Sequence, residues 1–75
     1  MFFRRLRDLR EDHDYNQQHV ADYLNINRVV YTRYELGDRE IPISYLIKLS
    51  KLYNVSIDYI VGISEQKTTK SNKII

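Results

Sequence analysis

Residues 16–37 read NQQHVADYLNINRVVYTRYELG, and their spacing decides the fold. Asn16 is a helix-capping type, and it opens a helix predicted over Gln17–Leu24 with Val20, Ala21 and Leu24 on its inner face. The run Asn25-Ile26-Asn27 follows as a tight connection. Asparagine tolerates the left-handed conformation at position 25, Ile26 is an apolar plug, and Asn27 caps a second helix over Arg28–Leu36. Gly37 closes that helix as a left-handed residue. Two short helices joined in this way make a helix-turn-helix corner, and the small Ala21 lets them cross closely.

Outward from this corner the chain has few breaks, because Gly37, Gly62 and Pro42 are its only glycines and proline. A helix is predicted before the corner from about Phe3 to Asp12, with Phe2, Phe3, Leu6 and Leu9 at i, i+3/i+4 spacing and Arg4, Arg5 and Arg7 on the outer side. Two follow it: about Ser44 to Tyr53 with Leu46, Leu49 and Tyr53 inward, then Ile57–Val61, capped by Ser56 and closed by Gly62. The expected fold is therefore all-α, five helices in one domain over residues 1–62. Residues 63–75 are polar and aperiodic and read as a flexible, lysine-bearing tail.

With no cysteine, neither disulfides nor a Cys-based zinc site can support the fold, and a chain of 75 residues buries only roughly 60% of its unfolded surface. A deep cavity is not expected, nor a cofactor or small-molecule ligand. The formal net charge is +2, but residues 1–62 balance, and the excess comes from Lys67, Lys70 and Lys73 against Glu65. Bulk charge is thus uninformative about partners, and the placement of individual charges has to decide.

At about 100° per residue, Tyr31, Tyr34 and Glu35 share one side of the third helix and Arg28, Val29, Thr32, Arg33 and Leu36 the other. The first set meets the core. The second combines two arginines, which can pair bidentately with guanine, with a valine and a threonine that can touch a thymine methyl, the threonine also being able to hydrogen-bond. That mixture suits a DNA major groove. The alternative is that Val29 and Leu36 pack against a neighbouring subunit or the fourth helix and the arginines are solvated.

Arg10 and Glu35 each occupy a position that their helix would give to an apolar residue, which predicts a buried ion pair holding the first and third helices in one geometry. At the start of the second helix, free backbone N–H groups and the helix dipole favour a phosphate at Asn16, Gln17 and Gln18, with Asn27 and Arg39 as further phosphate contacts.

The string from Asn16 to Arg28, continuing through Tyr34-Glu35-Leu36-Gly37 to Pro42, resembles the Cro/lambda-repressor-like helix-turn-helix family, also called the XRE family. The resemblance covers roughly Leu6 to Gly62. It implies a five-helix domain that binds operator DNA, usually as a dimer, with Gln17 on phosphate, Arg28, Val29, Thr32 and Arg33 facing bases, and Arg10 with Glu35 as the family's buried salt bridge. Departures are Asn25 where glycine is common, Tyr31 where a smaller aliphatic is common, and Tyr53 where leucine is common. Asp38 and Glu40 also make the loop after the third helix less basic than usual, which predicts modest monomer affinity.

An enzyme is disfavoured: His13 and His19 stand alone and are expected to face solvent, and Asp12, His13 and Asp14 do not form a convincing metal site. Neither a signal peptide nor a membrane span is legible, so a cytoplasmic protein is expected. The expected function is a sequence-specific, double-stranded-DNA-binding regulator of transcription, a repressor acting as a homodimer. An antitoxin that also regulates its own promoter, or a protein-protein scaffold, are the alternatives. Ile57, Tyr59, Ile60 and Val61 are assigned to the dimer surface, since four large apolar residues in five positions exceed what one short helix is expected to bury in its own domain.

Overall fold

The computed structural model describes residues 2–67. Their helices are α1 (Arg4–Asp12), α2 (Gln17–Leu24), α3 (Arg28–Leu36), α4 (Ile43–Tyr53) and α5 (Ile57–Val61), with no strand among the described residues. Two starts differ from expectation by one residue. Phe3 is extended and caps α1 from outside, and α4 begins at Ile43, with Pro42 as its cap. Proline suits that place because its φ is preset and its missing N–H would have no partner there. Its carbonyl still accepts from the N–H groups of Tyr45 and Leu46.

All five helices stop in the same way. A left-handed residue (Asp14, Asn25, Gly37, Asn54 or Gly62) reverses the chain, and the next N–H donates to the carbonyl five residues back. The donors are Tyr15, Ile26, Asp38, Val55 and Ile63, at 2.9–3.0 Å from the carbonyls of Arg10, Ala21, Arg33, Ser50 and Asp58. This closure satisfies carbonyls that a helix end otherwise leaves orphaned. At Gly37 a side chain would also meet the backbone of Phe2, since a Cβ there would lie 3.1 Å from the Phe2 Cα and Cβ.

The core draws on every helix: Leu6 and Leu9, Val20, Ala21 and Leu24, Tyr31 and Tyr34, Leu46, Leu49 and Tyr53, and Ile60, with Ile41 and Val55 from the connections. Ala21 is fully buried at the α2–α3 crossing. No described helix is long and apolar enough to cross a membrane.

Two expectations are corrected at α5. Arg5 does not face outward: its Nη1 donates to the carbonyls of Tyr59 and Ser64 at 2.9 and 2.6 Å, and its guanidinium lies 4.1 Å from the centre of the Tyr59 ring. Ile60 is 1% exposed and belongs to the domain's own core, so it is withdrawn from the expected dimer surface. The physical reason is that α5 packs against both α1 and α4, so more than one of its faces is covered and Ile57, Tyr59 and Val61 are half-buried.

Of the tail expected at 63–75, residues 68–75, with Lys70, Lys73, Ile74 and Ile75, lie outside the described residues. The stretch 63–67 is held where a free tail was expected: the Ser56 N–H donates to the Lys67 carbonyl, and Arg5 reaches Glu65 at 3.2 Å.

Candidate nucleic-acid interface

The outer face of α3 carries Arg28, Val29, Arg33 and Leu36 in the open, Val29 and Leu36 being 52% and 63% exposed, with Thr32 half-buried among them. Its inner face is Tyr31, Tyr34 and Glu35, all buried. Two exposed arginines and two exposed aliphatics thus share one face of the helix, hydrogen-bond donors beside apolar surface.

What lies behind that surface is a buried carboxylate with four donors. Arg10 Nε donates to Glu35 Oε2 at 2.7 Å and its Nη2 to Oε1 at 3.2 Å, a two-pronged pair with both side chains largely buried. The Tyr31 hydroxyl donates to Oε2 at 2.6 Å and the Gln17 amide to Oε1 at 3.1 Å. Arg10 Nη1 goes on to the Tyr15 carbonyl at 3.0 Å, tying the α1–α2 turn to the same point. Burial alone would push the Glu35 carboxyl up, but hydrogen bonds from Arg10, Tyr31 and Gln17 hold it below the ordinary carboxylate value. Those bonds in turn raise Arg10, while burial first and the Glu35 carboxylate second push the Tyr31 hydroxyl up. The Tyr31 contribution had a legible signal that went unread: Tyr31 and Glu35 are four residues apart on one helix, where side chains meet.

The residues expected on phosphate are mostly engaged within the protein. Asn16 Oδ1 accepts from the His19 N–H at 2.8 Å, and Asn27 Oδ1 from the Val29 N–H at 2.7 Å; both are N-caps. Gln18 reaches Asp22 one turn along at 2.8 Å. Gln17 differs most from expectation, because its amide is shared between Glu35 and the Thr32 hydroxyl, which donates to Gln17 Oε1 at 2.7 Å. What these elements still offer a phosphate is the first-turn backbone of α2, the second Gln17 amide proton, and the exposed Arg39. His13 and His19 are exposed, the latter stacked on Tyr15 with ring centres 4.2 Å apart.

A helix-turn-helix family model matches residues 6–60. The HTH-type transcriptional regulator ImmR of Bacillus subtilis is 40% identical over 70 residues, which are 93% of this chain and 54% of that protein. The uncharacterized HTH-type transcriptional regulator YqaE, also of Bacillus subtilis, is 43% identical over 68 residues, 89% of this chain and 59% of its own length. The cryptic phage CTXphi transcriptional repressor RstR of Vibrio cholerae is 37% identical over 65 residues, 87% and 59% of the two chains. The chain thus spans a little over half the length of these curated relatives. No solved structure matches it significantly.

Proposed function

The chain belongs to the helix-turn-helix family, and from that premise we propose that it is a sequence-specific DNA-binding repressor of transcription. It inserts α3 into the major groove of a near-palindromic operator as a homodimer, one helix per half-site, with half-site centres about 34 Å or a multiple of that apart. The observation that carries this reading is the outer face of α3: Arg28, Val29, Thr32 and Arg33 project from a helix whose other side is pinned by the Glu35 network. Arg28 and Arg33 supply donors for guanine edges, and Arg39 with the start of α2 positions the domain on the backbone. The half-buried α5 residues Ile57, Tyr59 and Val61 form the proposed edge of the dimer. The repressor name of the Vibrio cholerae relative supports repression over an antitoxin role.

Selection from random duplexes at fixed salt tests the reading. An enriched inverted repeat is expected, and failure to enrich any sequence would leave only a protein-binding role. Arg33→Ala in the same assay is expected to relax one position of each half-site by ~1–3 kcal/mol. Equal losses on cognate and scrambled DNA would instead place Arg33 on phosphate.

A further inference from the structure

We propose that Thr32 reads the C5-methyl group of a thymine, its hydroxyl being turned away from the groove and held by Gln17; this rests on the reading of α3 as the groove-inserted helix. Thr32 Oγ1 lies 2.7 Å from Gln17 Oε1 and 2.9 Å from the carbonyl of Arg28. Both partners are acceptors, and a hydroxyl has a single proton, so Thr32 keeps no donor for a base.

The amide of Gln17 cannot flip to change this. Its Nε2 donates to Glu35 Oε1 at 3.1 Å, and a flipped amide would set its oxygen against an ionised carboxylate that only accepts. Glu35 is in turn fixed by Arg10 and Tyr31. A chain of side chains, Arg10 to Glu35 to Gln17 to Thr32, therefore sets how Thr32 is turned. With its one proton committed to α2 or to its own helix, Thr32 offers the face it shares with Arg28 and Arg33 its methyl rather than a hydrogen-bond donor. In the major groove only thymine answers with a methyl of its own.

The test uses the operator obtained by selection. Each thymine of a half-site is replaced in turn by deoxyuridine, which pairs identically and lacks only the methyl, and binding is measured at fixed salt. One position is expected to lose about fourfold per half-site, the worth of one buried methyl. Thr32→Val, which keeps a methyl, should retain that sensitivity, and Thr32→Ser should bind the two duplexes alike. The assignment is overturned if no thymine is sensitive in the unaltered protein or if Thr32→Ser still discriminates. An enriched operator indifferent to deoxyuridine sinks only the methyl assignment, whereas no enrichment at all sinks the groove reading beneath it.

Discussion

Helix α1 fastens two other parts of the molecule with two arginines, and the fastenings differ in kind. Arg10 meets a buried carboxylate whose oxygens each receive two donors, behind the proposed reading face. Arg5 meets backbone carbonyls, the face of a tyrosine and Glu65, whose side chain is 91% exposed. The same residue type thus serves two energetic regimes. At Arg10 the partner is a charge almost wholly buried, so removing the arginine leaves it poorly compensated. At Arg5 the abandoned groups can turn to solvent.

The largest expected effect follows directly. Arg10→Ala should cost roughly 3–5 kcal/mol in urea unfolding and Arg5→Ala only about 1–2, from two carbonyl bonds and a cation–π contact. Equal losses would break the contrast. Acid sharpens it next. Because the folded state favours the Glu35 carboxylate, the unfolded chain takes up that proton first as pH falls. The stability Glu35 contributes is full above its ordinary value of 4.5 and is lost as pH drops through the lower folded value. Urea midpoints between pH 7 and pH 3 should therefore fall more steeply in the unaltered protein than in Glu35→Gln; parallel curves would show that the carboxylate does not carry the acid response.

The smallest effect separates the two left-handed glycines that follow α3 and α5. Gly37→Ala and Gly62→Ala both force a side chain into the left-handed region, at about 1–2 kcal/mol each. Only Gly37 has a neighbour in the way, the backbone of Phe2, so its substitution should melt lower than Gly62→Ala by a few degrees. Identical melting temperatures would mean that Phe2 moves aside freely.

Much of this was legible in residues 16–37. The caps Asn16 and Asn27, the turn at Asn25 and the stop at Gly37 all stand where the spacing puts them, because each depends on backbone geometry within a few residues of itself. The stops at Asp14 and Asn54 rest on the same left-handed geometry but lacked a glycine to announce them. The inward turn of Arg10 and Glu35 was also readable, since charge at an apolar helical position is a local anomaly. The fate of Arg5 was not: periodicity places it on a face but does not reveal that α5 and residues 64–65 return to that face.

The sequence by itself determined five helices, their ends, and which side of α3 faces outward, because these follow from hydrophobic period and capping chemistry within each segment. Tertiary structure decided which side chains are already occupied. Gln17 turns to Glu35 and Thr32, and Ile60 sinks between α1 and α4. Each of these outcomes needs another helix brought within hydrogen-bond or van der Waals reach, across 15 and 18 positions for the two Gln17 bonds, and only the packing of the helices does that.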